Sequence, residues 1–339
     1  MTVRTPSATY QAKWEAPLLH LKPRESSLSS CSSGSSSNTP SSSFIFDQLK
    51  GAILPSAFLS EKTKNIYKQK FDAFWKETNP SPLRDRFKLT AHEISTPDGC
   101  KLNALLYLHA EADSKTPTVI YFQANGCIAS EDSQRWLLQK SIDANQPFNF
   151  VAFDYRSSGD SKGDFKSPKD LQLDGASIVQ WVRSELKTPD DRIYFYGRSL
   201  GGAIAAQTKA LYVSQLTGPI VSERSFSSLS NVAHEHVKQI DSIWKRCLSR
   251  FLLMFAKCAN CEIDAVEAFK KLKGKKLVVY HPDDPVIPYG ASLQNHLDGT
   301  PHEALCLKSD ILDKDDDLHN LPLCFYKDAE TEIARFLFK

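Results

Sequence analysis

One hexapeptide, Gly197-Arg198-Ser199-Leu200-Gly201-Gly202, constrains this chain more than any other stretch. Before it, Arg192-Ile193-Tyr194-Phe195-Tyr196 is rich in aromatic and β-branched residues and reads as a buried strand. After it, Ala203 to Ala210 consists of good helix formers without a breaker. A serine on so sharp a strand-to-helix turn sits in strained backbone, and its neighbours must lack bulk for the helix to close back on the strand. Gly197 and Gly201 supply that room. The Ser199 hydroxyl then projects above the sheet, near the positive end of the next helix. Strand, G-x-S-x-G and helix together form the setting in which this turn presents a nucleophile. The competing reading is a Gly-rich turn with an incidental serine. A base, an acid and an oxyanion hole elsewhere in the chain decide between the two.

The 339 residues allow one large domain or two ordinary ones. A hydrophobic content of 41% and a charged content of 24% suit a soluble globular protein with a sizeable core. The formal net charge of +2 gives no electrostatic case for binding nucleic acid or an anionic membrane. The 8 cysteines are scattered through a chain able to build its own core, which argues for reduced thiols. No apolar run approaches the roughly 18 residues of a membrane span. Met1 to Lys22 lacks the apolar core of a secretory signal. Cytoplasmic residence is the default expectation.

Residues 1–45 differ from the rest. Ser26 to Ser43 is nearly all serine, has nothing to bury, and is expected to be disordered. Such a leader suits a solvated tail, a transit peptide or a bacterial secretion signal. Glu15 and Glu25 count against the transit peptide. Bacterial secretion through this segment is the alternative to cytoplasmic residence.

Residues 46–339 read as one domain. A helix is expected over 57–78, with Ile66, Phe71, Phe74 and Trp75 at helical spacing. Leu89 to Ser95 and Lys101 to Leu108, joined at Pro97-Asp98-Gly99, form a hairpin. Strands then alternate with helices: strand Thr118–Phe122, helix Glu131–Asp143, strand Phe148–Phe153, helix Lys169–Leu186, then the strand and helix around Ser199. Further strands fall at Pro219–Val221, Leu277–Tyr280 and Glu303–Leu307, with a closing helix from Phe325 to Phe338. This alternation predicts an α/β protein with a mostly parallel sheet covered on both faces. About residues 230–275 interrupt it. Trp244, Leu248, Phe251, Leu252 and Phe255 share a helical face there. An insertion at the carboxyl ends of strands can form a cap or lid lining an acyl or aromatic pocket, an interfacial helix, or simply a helix docked on the sheet.

A serine hydroxyl needs a base, and the base needs an orienting acid. Where this turn presents a nucleophile, acid and base come after it in the order Ser, Asp or Glu, His. The strand Leu277–Tyr280 ends in His281-Pro282-Asp283-Asp284, so Asp283 and Asp284 are both candidates, with Glu223 a third. His296, His302 and His319 are the histidines beyond them. His296 lies in an expected helix and His302 at the start of the last strand. His319 lies in a loop before the closing helix, where it can reach back over the sheet. The oxyanion hole needs backbone N–H groups. Leu200 supplies one, and Asn125 in Gln123-Ala124-Asn125-Gly126 is the expected second. Cys258-Ala259-Asn260-Cys261 lacks the second pair a zinc site needs. His234-Glu235-His236 lacks a third ligand and reads as helix surface or lid. The acidic run at Asp313, Asp315, Asp316 and Asp317 lacks calcium-loop spacing.

From about Phe87 to Phe338 the chain resembles the α/β-hydrolase superfamily. Within it, the chain looks nearest the serine hydrolases grouped with dienelactone-hydrolase-like and BEM-type proteins. Six segments carry the resemblance, in the family's order: Ser95 to Gly99, Tyr121 to Gly126, Asp154 to Ser161, Gly197 to Gly202, Asp284 to Pro288, and His319-Asn320. Glu223 to Leu229, with the Ser-rich leader, resembles the CHLPS-type hydrolases of chlamydial and related intracellular bacteria. The resemblance implies the α/β-hydrolase fold, with a helical insertion after the strand next to the nucleophile elbow in sequence. It favours Asp284 as the acid, because Pro285-Val286-Ile287-Pro288 matches the residues after that acid in the family. Three departures are visible. Gln123-Ala124 replaces the family's His-Gly, Ser157 replaces the first Gly of Tyr-Arg-Gly, and the Gly usually preceding the acid is missing.

The expected activity is hydrolysis of an ester or thioester by Ser199, His319 and Asp284 through an acyl-enzyme. The substrate is a small-molecule or lipid-like acyl compound, no metal or organic cofactor is implied, and the oligomeric state is open. A peptidase or acyltransferase with the same triad is the alternative enzyme. A non-catalytic α/β scaffold, or a secreted effector binding a host partner, is the alternative of another class.

Overall fold

Eight strands form one sheet in the order β1-β2-β4-β3-β5-β6-β7-β8. In chain order they are β1 (Phe87–Ser95), β2 (Lys101–His109), β3 (Thr118–Phe122), β4 (Asn149–Phe153), β5 (Ile193–Arg198), β6 (Ile220–Glu223), β7 (Lys276–Tyr280) and β8 (Glu303–Cys306). The β1–β2 hairpin is antiparallel, and so is the pairing of β2 with β4. Every pairing from β4 across to β8 is parallel. The computed structural model describes residues 61–76, 81–131, 135–238, 262–308 and 317–339. All of them fall within one compact unit, Ser42–Lys339.

The described helices are α1 (Glu61–Lys76), α2 (Pro82–Arg86), α3 (Arg135–Ala144), α4 (Pro168–Glu185), α5 (Leu200–Leu211), α6 (Leu229–Lys238), α7 (Val266–Lys271) and α8 (Ala329–Phe338). Strand alternation sends side chains to two separate cores, one on each face of the sheet. Along β3, Ile120 and Phe122 join Phe153, Phe195, Ile178 of α4, Ile204 of α5 and Phe269 of α7. Val119 and Tyr121 join Phe150, Tyr196, Leu137 of α3, and Ile333 and Phe336 of α8. All five residues of β3 and of β4 are buried, which is why neither strand shows a polar alternation in sequence.

The expected elements appear with modest shifts at their ends. The helix placed at Glu131–Asp143 is a 3-10 turn at Ala129–Glu131 and then α3 from Arg135. The closing helix begins at Ala329 rather than Phe325, because Pro322 sets up a separate 3-10 turn at Leu323–Phe325. On α1, Phe71 is buried and Trp75 packs edge-on against Tyr107, but Ile66 faces solvent. Of the 230–275 interruption, α6 and α7 are described. The face from Trp244 to Phe255 and the Cys258–Cys261 pair lie outside the described residues, as do the Ser-rich segment 1–45 and Asp313 to Asp316.

The departure at Ser157 has a local account. Ser157 takes φ 62, the left-handed region that a glycine tolerates best. Its hydroxyl donates to Gly163 O at 2.6 Å and accepts from Phe165 N at 3.1 Å, bonds a glycine could not make. Ala124 needs no such help, since it is not among the described residues with positive φ.

Candidate active site

The elbow is built by close approach. Ser199 has φ 51 and ψ −120, a conformation that costs energy in any L-residue, and its N–H donates to Glu223 O on β6 at 2.8 Å. A side chain at Gly197 would place its Cβ 2.3 Å from Gly201 O, and one at Gly201 would lie 2.0 Å from Phe122 O. Neither position admits even alanine without moving backbone. The turn therefore presses the first turn of α5 against the end of β3 and the loop beyond it.

His319 arrives from the loop between β8 and α8. Its Nδ1 lies 2.7 Å from Asp284 Oδ2, and its Nε2 lies 3.0 Å from Ser199 Oγ. The tautomer that satisfies both bonds carries its proton on Nδ1, so that Ser199 Oγ–H donates to Nε2. The other oxygen of Asp284 accepts from Val286 N at 2.9 Å and Ile287 N at 2.8 Å. Both carboxylate oxygens are thus engaged, which fixes the ring that Asp284 faces. Ser199, His319 and Asp284 are all at least nine-tenths buried.

The other candidates are not part of this constellation. Asp283 turns back on its own loop, where its N–H donates to His281 Nδ1. His296 Nε2 lies 2.9 Å from Gly290 O, and His302 bridges Thr300 O and Gln294 Oε1. His234 and His236 ride on α6, with His236 Nε2 3.0 Å from Val286 O. No metal-holding cluster occurs among the described residues.

Glu223 faces two arginines instead of His319. Its carboxylate receives the Tyr196 hydroxyl and the Arg224 guanidinium, with Arg198 Nε 3.9 Å away. Burial alone would raise this carboxyl, but Arg224 and Arg198 outweigh it and hold it below the usual carboxylate range.

For the oxyanion hole, Leu200 opens α5, so its N–H is one of those a helix leaves without a carbonyl. Gln123-Ala124-Asn125-Gly126 comes directly after β3 and meets the helix N-terminus: the Cβ position of Gly201 lies 2.6 Å from Gln123 O. Asn125 is exposed on this loop. The tail of the loop is tied down by Asp154, which accepts from Ala129 N at 2.6 Å and from Asn103 Nδ2 at 2.9 Å. Burial raises Asp154 to about 6 despite these bonds.

A profile of the family described as X-Pro dipeptidyl-peptidase (S15 family) matches residues 98–238. Protein bem46 of Schizosaccharomyces pombe is 26% identical over 189 residues, covering 56% of this chain and 57% of that protein. Lysophosphatidylserine lipase ABHD12 of Gallus gallus is 24% identical over 194 residues, covering 56% and 50%. The matches therefore span only about half the length of these curated relatives. Among solved structures, the Pyrococcus furiosus esterase Pf2001 aligns at a TM-score of 0.54 with 17% identity, over 77% of this chain and 94% of that one. Acetyl xylan esterase from Paenibacillus sp. R4 aligns at 0.53 with 16% identity, over 86% and 98%. The sheet order, the strained serine and these likenesses agree.

The chain has the α/β-hydrolase fold of these esterases.

Three features of the site were not read from the sequence. Arg198 Nη2 donates to His319 O and to Asn320 Oδ1, each at 3.0 Å. Arg224 Nη1 donates to Leu318 O at 3.1 Å and Leu321 O at 2.7 Å. Arg156, buried behind the hairpin turn, joins Asp98 to Asp174. The x of G-x-S-x-G being an arginine was the one available signal for the first. The other two depend on long-range contacts that no local pattern marks.

Proposed function

We propose that the chain is a serine hydrolase of carboxylic esters or thioesters. The observation that carries this reading is the continuous hydrogen-bonded line from Asp284 through His319 to a serine held in strained backbone at a helix N-terminus. Ser199 Oγ attacks the substrate carbonyl carbon while His319 Nε2 takes its proton. Asp284 holds the ring and stabilises the imidazolium. The Leu200 and Asn125 amides receive the oxyanion. The tetrahedral adduct collapses, the alcohol or thiol leaves with the proton from Nε2, and Ser199 keeps the acyl group. Water then repeats the sequence in reverse and frees the acid.

The substrate class is an acyl compound of small-molecule or lipid-like type, a reading supported by relatives named as lipases and esterases. No described helix is long and apolar enough to cross a membrane. The described cysteines, Cys100, Cys127, Cys306 and Cys324, are free thiols, which favours the cytoplasm over an oxidising compartment.

Turnover of p-nitrophenyl esters of graded chain length tests the proposal. Wild type is expected to hydrolyse at least one chain length, and Ser199→Ala to lose that turnover. Equal rates in both would remove Ser199 from the chemistry. The match to an X-Pro dipeptidyl-peptidase family favours one second reading, a peptidase using the same triad. Release from proline-containing dipeptidyl amides without release from esters would favour it.

A further inference from the structure

We propose that Arg198 and Arg224 are positioning residues that hold the His319 imidazole in line with Ser199, with Glu223 as their shared counter-charge. The inference rests on the catalytic reading of Ser199 and His319 and goes beyond it. His319 sits on the stretch before α8, outside any described strand or helix. Its reach to Ser199 is therefore set by whatever fixes the loop backbone.

Two arginines from adjacent parallel strands do this. Arg198 ends β5, immediately before Ser199, and grips His319 O and the Asn320 side chain. Arg224 comes directly after β6 and grips Leu318 O and Leu321 O on either side of His319. Between them they engage carbonyls of Leu318, His319 and Leu321. The Tyr326 hydroxyl adds a bond to Leu318 O at 3.0 Å. The same two strand ends carry the nucleophile, since Ser199 N donates to Glu223 O. Nucleophile and base are thus referenced to one rigid edge of the sheet.

The arrangement is built rather than incidental. Arg224 takes φ 47, an unfavourable conformation for a residue with a long side chain, while its N–H bonds Val279 O at 2.7 Å. Its side chain is 2% exposed, and that of Glu223 is 4% exposed. Burying two guanidiniums calls for a nearby negative charge, and Glu223 supplies it, oriented in turn by the Tyr196 hydroxyl. Guanidinium is the fitting group, because its fork donates several bonds in fixed directions while lysine acts as a point charge.

Chemical geometry predicts the consequence. Loosening the loop moves the base relative to Ser199 while the elbow itself stays in place, so kcat falls and KM holds. Displacement of a catalytic group by about 1 Å can cost about 100-fold, and Arg224→Met is expected to lose about that much kcat with KM within about twofold. Arg224→Lys, which keeps the charge and some donors, is expected to recover part of it. Arg198→Gln, which retains one donor, is expected to lose less.

The experiment pairs these rates with 15N–1H NMR of the full chain labelled at histidine. The His319 Nδ1–H resonance, assigned by its loss in His319→Gln, reports the bond to Asp284 whether or not a substrate is known. Wild type is expected to show it at low field, and Arg224→Met and Arg198→Gln to broaden or lose it while circular dichroism stays native. Should Arg224→Met fail to fold, Arg198→Gln carries the test alone. An unchanged resonance with unchanged kcat overturns the proposal, and so does its absence in wild type. A resonance that depends on the arginines in a wild type that turns over no ester upholds the positioning role and overturns the esterase reading instead.

Discussion

Lys209→Met should stabilise this protein at pH 6 and destabilise it at pH 10.5. Lys209 lies on α5 and is 1% exposed. Its Nζ donates to Gly218 O and sits 5.4 Å from the centre of the Phe195 ring. Burial pushes the ammonium down to about 7, and the neighbouring Lys276 pushes the same way. In the unfolded chain the same group titrates near 10.4. Between those values the unfolded chain holds a proton that the folded chain has given up, so this group makes stability rise with pH across the window. Below about pH 7 both states are charged and the full cost is present. At about 1.4 kcal/mol per pH unit that cost approaches about 5 kcal/mol, and relaxation around the ion recovers part of it. Methionine keeps the volume and removes the charge, but leaves Gly218 O without its donor, a loss of about 1–3 kcal/mol. The net expectation is a gain of about 1–3 kcal/mol at pH 6 and a loss of similar size at pH 10.5. Urea midpoints of both proteins at pH 6, 8 and 10.5 measure the difference directly. A difference of one sign and one size at all three values would mean that Lys209 is not held uncharged in the folded chain.

Asp284→Asn keeps an oxygen for the Val286 and Ile287 amides but presents the wrong partner to His319 Nδ1. It is expected to lower kcat by about 10⁴-fold with little change in Tm, whereas Asp283→Asn stays within about threefold of wild type. Comparable losses from the two would mean that Asp284 does not act through the ring. Gly201→Ala drives a methyl group into Phe122 O at the end of β3. It is expected to cost about 2 kcal/mol or more of stability and most of the activity, as read by urea midpoint and ester turnover. Near-wild-type behaviour would show that the turn is looser than described.

Sequence legibility depends on how local each signal is. The strained serine announces itself because glycines must flank it, and the strands β3 to β7 announce themselves as apolar runs. His319 is separable from His296 and His302 by its place in a loop. The choice between Asp283 and Asp284 is not separable from the residues alone, since adjacent carboxylates differ only in where the turn aims them. The resemblance favours Asp284, and Asp284 is the one that meets His319. Lys209 passes for an ordinary helix former, because its burial depends on Phe195 of β5 and on Gly218 just before β6, which its own sequence neighbours do not reveal. Arg198 and Arg224 are hidden for the same reason: the carbonyls they grip lie more than ninety residues away, on the loop around His319.

The proposed hydrolase chemistry requires Ser199 to be an activated nucleophile. Labelling with a fluorophosphonate tests it most directly, because the reagent forms a bond to an activated serine whatever the natural acyl group. One adduct per chain is expected on wild type, mapped by peptide mass to the segment containing Ser199, and none on Ser199→Ala. An adduct that persists in Ser199→Ala, or maps to another serine, would contradict it.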